Sequence, residues 1–273
     1  MERSYLSYAP KAATRFEGRR PLVLAIHGGA GTASNMLRLT RRRFNDLANE
    51  YGFYVVYPEA VDKYWDFGEG RTSSALETRQ DDLAYFSQVI GQMETAYPID
   101  SGRIFATGIS RGGQASYFLA CKLPGRIRAI APFAMPLPEF LVDDCRQGAP
   151  VPIALFNGTA DPLAPYDGGM ISFLGQMRDR VLSTNETLAL WGARNGCPRT
   201  ADDNMVLDRA DDDGQVEHLV WRNCSGAPME LYRIVNGGHT WPSGIQYLPS
   251  LLVGKINRDI DGADEAWRFF SRF

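Results

Sequence analysis

The pentapeptide Gly108-Ile109-Ser110-Arg111-Gly112 constrains this chain more than any other feature, because of what flanks it. A short apolar run at 103–107 precedes it, and residues 114–121 follow with Ala115, Phe118 and Leu119 at helical spacing. Ser110 is therefore expected at a strand-to-helix turn. There a serine takes a strained backbone conformation, and side chains in place of Gly108 and Gly112 would collide across the turn. Gly113 leaves further room for the helix to pack against a sheet. The turn also puts Ser110 at a helix N-terminus, where free amides and the positive end of the helix dipole favour negative charge developing on an oxygen.

The same alternation of buried strand and helix runs through the chain. Strands are expected at 21–26, 52–57, 103–107, 128–133, 152–156 and 230–235, and helices between 37 and 51 and at 81–93, 114–121 and 264–270. No internal repeat or low-complexity linker interrupts them. Strands that alternate with helices imply a mostly parallel central sheet with helices on both faces, and 273 residues suit one such domain. An insertion containing a β-hairpin is expected at about 170–228. Its strands are Met205-Val206-Leu207 and His218-Leu219-Val220-Trp221, around an acidic turn, Asp211-Asp212-Asp213-Gly214.

In parallel sheets reactive groups collect at the carboxyl ends of the strands. His27, Ser110, Asp161 and His239 all fall at or just beyond such ends. The chain has three histidines. His27 precedes Gly28-Gly29-Ala30-Gly31 and shapes that loop, His218 lies on the hairpin, and His239 follows two glycines in a loop after the last strand. His239 is thus the expected general base. Asp161 comes directly after the strand at 152–156 and is preferred over Asp167 as the orienting acid, because that carboxylate must be fixed close to the strand end. The order serine, acid, histidine is that of an α/β-hydrolase fold. Two backbone amides then form the oxyanion hole, one from Arg111 and one from the Gly28-Gly29-Ala30 loop, with Gly29 favoured.

A net charge of −3 gives no basic field for phosphates, so no nucleic-acid partner is expected. Arg41-Arg42-Arg43, the one basic cluster, reads as a solvated face of the helix between 37 and 51. No stretch approaches the roughly 20 apolar residues of a membrane span. The sequence begins on polar residues with no apolar leader, which fits either a cytosolic protein or one whose leader has been removed. Cys197 and Cys224 bracket the hairpin, and a disulfide at its base is geometrically reasonable; free thiols are the alternative. Cys121 and Cys145 are a second possible pair. No spacing resembles a zinc site. The turns at 211–214 and 257–262 are read as solvated turns rather than calcium loops, since both lack the closing glutamate, and no cofactor or metal is expected.

Taken together these motifs resemble the esterase family that joins poly(3-hydroxybutyrate) depolymerases with feruloyl and acetyl xylan esterases. The segments that carry the resemblance are Tyr97-Pro98-Ile99-Asp100 through Gly108, the Ser110-Arg111-Gly112-Gly113 turn, Gly158-Thr159-Ala160-Asp161-Pro162, Trp191 with Asn195-Gly196-Cys197, and Gly237-Gly238-His239-Thr240-Trp241-Pro242. It implies a secreted serine esterase with Ser110, Asp161 and His239 as its triad and Cys197 bonded to Cys224. One departure is Asn157, where many members have histidine.

Substrate choice is expected to rest on an aromatic rim formed by Trp65 and Trp241, with bracing of the loops as the alternative role for both. On that basis feruloyl or acetyl esters of plant polysaccharide are expected, with an aliphatic polyester as the alternative and a noncatalytic binding protein as a remote one. A peptidase on this fold would need an added domain for which the chain has no room. The sequence does not fix the oligomeric state.

Overall fold

A computed structural model of the chain describes residues 3–11, 15–67, 81–173 and 176–273. The elements in order are β1 (Tyr5–Tyr8), β2 (Arg20–Ile26), α1 (Ala33–Leu39), α2 (Arg43–Tyr51), β3 (Tyr54–Pro58), α3 (Asp82–Ala96), β4 (Ile99–Ile109) and α4 (Arg111–Lys122). They continue with β5 (Ala129–Phe133), α5 (Val142–Arg146), β6 (Ile153–Gly158), β7 (Gly169–Phe173), β8 (Gln176–Val181), α6 (Thr184–Asn195), β9 (Asp203–Leu207), β10 (Gln215–Trp221), β11 (Met229–Val235), α7 (Ser250–Val253) and α8 (Gly262–Phe270).

The main sheet has nine strands in the order β1-β3-β2-β4-β5-β6-β11-β10-β9. From β3 to β11 every pairing is parallel, and the antiparallel pairings lie at the two edges. Burial on both faces explains why the central strands read as continuous apolar runs. In β2, Leu22, Leu24 and Ile26 point into one apolar core with residues of α3, α4 and α6, while Val23 and Ala25 point into a second with residues of α1, α2 and α8. The period of two thus divides one strand between two cores, and helices cover both faces as expected.

Two expectations are corrected. The helix expected between 37 and 51 is two helices, broken at Arg41 and Arg42, whose φ angles of 52° and 61° lie in the left-handed region. The basic cluster is therefore a break rather than a helix face, and Arg43 opens α2 with its Nε donating to Asp264 Oδ1 of α8 at 2.7 Å. The hairpin expected within the insertion is β9–β10, but β10 pairs with β11 and so extends the main sheet. A second hairpin, β7–β8, was not legible in the sequence and forms a separate two-stranded sheet.

Both cysteine pairs are bonded. Cys197–Cys224 joins the end of α6 to the end of β10, and Cys121–Cys145 joins α4 to α5. Among the described residues no helix is long and apolar enough to cross a membrane.

The Cys197–Cys224 bridge spans 27 residues of sequence. Closing a loop of that size restricts the unfolded chain by about 3–4 kcal/mol. Replacing both cysteines by serine is expected to lower the unfolding free energy by that amount in urea titrations, and an unchanged midpoint would show that the bridge adds nothing to stability.

Candidate active site

Ser110 caps the N-terminus of α4 with φ 57° and ψ −123°, a conformation that side chains rarely adopt. Its amide donates to the Phe133 carbonyl of the neighbouring strand end at 2.9 Å. The glycines around it are needed for close approach. A Cβ on Gly108 would stand 2.6 Å from the carbonyl carbon of Gly112, and one on Gly112 would stand 2.9 Å from the His27 carbonyl oxygen. Gly113 is similarly tight, 2.9 Å from Met135 Cβ. The expected strand-to-helix turn is therefore present, and its packing admits no side chain at positions 108, 112 and 113.

His239 and Asp161 form a buried pair. Nδ1 of His239 donates to Oδ2 of Asp161 at 2.7 Å. Asp161 Oδ1 accepts the amides of Leu163 and Ala164 at 2.8 and 2.9 Å, so the carboxylate is fixed by its own loop as well as by the imidazole. Asp167, the alternative acid, is exposed. This arrangement leaves Nε2 as the ring nitrogen able to take a proton.

Phe133 links this pair to the serine. Its carbonyl holds the Ser110 amide, and its ring stacks on Trp241, two residues beyond His239, with centroids 3.8 Å apart. The stack continues across the strands from Phe133 to Phe156, Tyr232 and His218, at centroid distances between 4.0 and 4.2 Å. Trp241, at 1% exposure, is therefore a brace between the histidine loop and the sheet, not part of a rim. Trp65, at 0% exposure, is also a brace: its indole N–H donates to the His27 carbonyl at 2.9 Å and its ring stacks on Phe86. Both corrections have one physical cause. A loop that carries a large ring can bury it wherever the indole finds apolar neighbours, and sequence position beyond a strand end does not tell outward from inward.

The loop after β2 lies beside the serine turn. A Cβ on Gly28 would be 3.4 Å from Ser110 Cβ, and one on Gly29 would be 3.0 Å from Arg111 Cδ. The Ala30 amide is already committed to the Lys63 carbonyl at 3.0 Å, which takes it out of contention as an oxyanion donor. Gly29 and Arg111 thus remain the pair expected to supply the amides. Arg111 adds a side-chain tether, because its guanidinium donates to the Trp65 carbonyl and lies 3.7 Å from Asp179 of β8.

His27 shapes this loop. Nδ1 donates to the Gly28 carbonyl at 2.7 Å, and Nε2 accepts the Ala60 amide at 3.1 Å. The second bond requires an unprotonated nitrogen, and burial pushes the imidazole pKa down to about 4. His218, on β10, pairs instead with Glu230 at 2.9 Å. Burial opposes ionisation of Glu230, but the His218 bond and the Arg272 charge outweigh it and lower its pKa.

One support was missed in the sequence. The segment 253–260 backs the histidine loop: the Val253 carbonyl accepts the His239 amide at 2.6 Å, and the Lys255 carbonyl accepts the Gly238 amide at 3.0 Å. Asp259 anchors this segment to the turn after β9, accepting the amides of Arg209 and Ala210 at 2.7 and 2.8 Å. The turn expected to be solvated at 257–262 is instead buried at Asn257 and Asp259, since those side chains satisfy backbone amides. The sequence signal was present as an Asx-rich stretch, but nothing local showed what it would bond.

Asn157, the departure from the family pattern, donates through Nδ2 to Thr184 and accepts the Met135 amide through Oδ1. It fastens the strand before the acid loop to α6.

Comparison with known proteins agrees with this fold. A strand order with a serine turn after one central strand, and an acid and a histidine after later ones, defines the α/β-hydrolase class, and the chain has this fold. The family model described as Esterase PHB depolymerase matches residues 3–134, in line with the resemblance drawn from the motifs. The chain is 28% identical over 98% of its length to NocK of Nocardia uniformis subsp. tsuyamanensis, a protein named as an esterase, and covers 78% of it. It is 28% identical over 82% of its length to feruloyl esterase B of Piromyces equi, but spans only 40% of that protein. Among solved structures, an acetyl xylan esterase from Aspergillus awamori superposes with a TM-score of 0.67 over 98% of this chain and 93% of that one, at 15% identity. The chain thus has the α/β-hydrolase fold and is similar to carboxylic ester hydrolases.

Two outcomes are expected from these contacts. Asp161→Asn should lower kcat by about 10³–10⁴-fold in a soluble ester assay while the fold is kept, because the amide favours the wrong imidazole tautomer; a loss below tenfold would assign the acid elsewhere. His27 binds its proton less readily folded than unfolded, where its pKa is 6.5. Its contribution to stability is therefore present above pH 6.5 and is lost as pH falls towards 4, by about 3 kcal/mol in all. His27→Gln should flatten that part of the stability profile, read as the difference in Tm between the two proteins at each pH, and parallel profiles would refute the role.

Proposed function

We propose that this protein is a serine carboxylic-ester hydrolase that works through an acyl-enzyme. The observation that carries the reading is the buried His239–Asp161 pair, joined through Phe133 to a serine held at φ 57° on a helix N-terminus. Ser110 Oγ attacks the ester carbonyl as His239 Nε2 takes its proton, and the amides of Arg111 and Gly29 hold the tetrahedral oxyanion. His239 then gives the proton to the departing alcohol. Water repeats the sequence in the second half: it loses a proton to His239 and attacks the acyl carbonyl, and His239 returns the proton to Ser110 Oγ as the acid departs.

Feruloyl or acetyl esters of plant polysaccharide are the substrate reading supported by the names of several relatives, among them feruloyl esterase B and the acetylxylan esterase/xylanase of Neocallimastix patriciarum. An aliphatic polyester is the second reading. It is favoured by the burial of both tryptophans, which removes the aromatic rim, and by an exposed apolar loop after His239. Two disulfides support a secreted protein, because such bonds persist in oxidising compartments.

The test is kcat/KM for methyl ferulate beside a soluble 3-hydroxybutyrate oligomer, with Ser110→Ala as the blank. Ser110→Ala is expected to abolish turnover of both while retaining the fold. Turnover surviving in that variant would overturn the assignment, and the ratio of the two constants decides between the substrate readings.

A further inference from the structure

Arg111 follows Ser110 directly, so its positive charge is carried into the site by the nucleophile turn itself. Neighbouring residues are close enough for the guanidinium to act on an acyl group at Ser110 within a Debye length, roughly 10 Å at 0.1 M salt. The side chain runs past exposed Gly29, where a Cβ would stand 3.0 Å from Arg111 Cδ and 3.8 Å from the Tyr64 ring. Its end is held by the Trp65 carbonyl, which accepts from the guanidinium, and lies over the Phe67 ring with Cζ 5.3 Å from the centroid. Nη1 is 3.7 Å from Asp179 Oδ2, and the two side chains are only 17% and 14% exposed. Charges so far out of water are weakly screened.

Asp179 is brought there by the β7–β8 hairpin, which stands apart from the main sheet and is fastened at both strands. The Ser172 amide of β7 donates to the Leu163 carbonyl at 3.1 Å, and the Leu163 amide is one of the two that fix the Asp161 carboxylate. After β8, the Leu182 amide donates to the Leu137 carbonyl at 2.9 Å. The hairpin register slips at this point: Met170 faces Arg180 but Ser172 faces Met177, so residues 178 and 179 of β8 lie opposite the single residue 171 of β7. An extra residue of this kind re-aims the side chains beside it. Asp179 is turned towards Arg111, whereas Arg180, 55% exposed, is turned to the surface and bonds Glu139 at 3.0 Å. One hairpin thus joins the acid loop to the residue after the nucleophile and sets a carboxylate against that residue's charge.

We propose that Asp179 is a specificity-determining residue that offsets the Arg111 charge beside Ser110 and so turns the acyl site against half-esters of dicarboxylic acids, whose second carboxyl is ionised. This rests on the ester-hydrolase reading and narrows its acyl class to groups without charge. An uncharged acyl group is indifferent to the balance between Arg111 and Asp179, while an anionic one gains or loses with every unit of charge added there. The same balance acts on the acid product, which leaves Ser110 as a carboxylate: a positive charge without its offset would hold that product in the site. Neutralising Asp179 and neutralising Arg111 move the local charge by one unit in opposite directions, so the two changes have opposite effects on an anionic acyl group.

The experiment measures kcat/KM for 4-nitrophenyl hexanoate and for the 4-nitrophenyl half-ester of adipic acid, which share one chain length and differ in charge. It compares wild type, Asp179→Asn, Arg111→Met and the double variant, with Ser110→Ala as the blank. The anionic-to-neutral ratio is taken within each protein, so that lost folding or a displaced Arg111 amide, which affects both esters, cancels. Asp179→Asn should raise the ratio about tenfold and Arg111→Met should lower it about as much. The double variant should return to the wild-type ratio, and added salt should shrink both shifts. A ratio that is the same in all four proteins, or that moves in one direction in both single variants, would overturn the proposal and leave the pair a structural one. Calorimetric titration with hexanoate needs no turnover: Asp179→Asn should bind it several-fold more tightly than wild type, and equal or weaker binding would also overturn the proposal. Wild type that hydrolyses neither ester faster than Ser110→Ala would strike the hydrolase reading instead, and the hexanoate titration would still decide the charge offset.

Discussion

The constraint on which this structure depends is the close approach of α4 to the carboxyl ends of β2 and β4. Backbone packs directly on backbone there, because Gly108 and Gly112 present no side chain to the carbonyls of residues 26 and 27. That contact holds Ser110 in its left-handed conformation and brings the Gly28-Gly29 loop alongside it. The strain at the serine persists because neighbouring strands, the Phe133 carbonyl and the helix all determine its place.

A second set of contacts fixes the histidine. It is held from three directions: by Asp161 through the ring, by the segment 253–255 through the backbone, and by the Trp241–Phe133 stack two residues away. None of these contacts is strong alone, since a hydrogen bond nets about 1 kcal/mol and an aromatic pair about the same. Their value lies in geometry, because each removes a different freedom of the imidazole. Buried rings and buried carboxylates share this work, which is why both tryptophans near the site are interior. The loop that lies outward, 245–252, carries no tryptophan.

Much of this arrangement was legible in the chain itself. Ser110, Asp161 and His239 could be named because each lies just beyond an expected strand, parallel strands bring such ends to one edge, and the chain has only three histidines. The Cys197–Cys224 bond followed from family resemblance and agrees with the bracketed hairpin. What could not be read was direction. Trp65 sits beyond a strand end like a rim residue, yet its indole bonds to His27 in the core. The helix break at Arg41 and Arg42 carries no proline or glycine, so nothing local announced it. Asp259 was visible as an acidic turn residue, but its partners at 209 and 210 lie about fifty residues away.

The sequence by itself determined the alternation of strands and helices, the strained serine turn and the order of the three candidate side chains, because these depend on local periodicity and on glycine where no Cβ fits. The tertiary structure alone decided which aromatic rings are braces, where the chain breaks between α1 and α2 and which apolar loop faces outward. Those choices depend on contacts between segments far apart in the chain, and a side chain's direction is set only once its neighbours are in place.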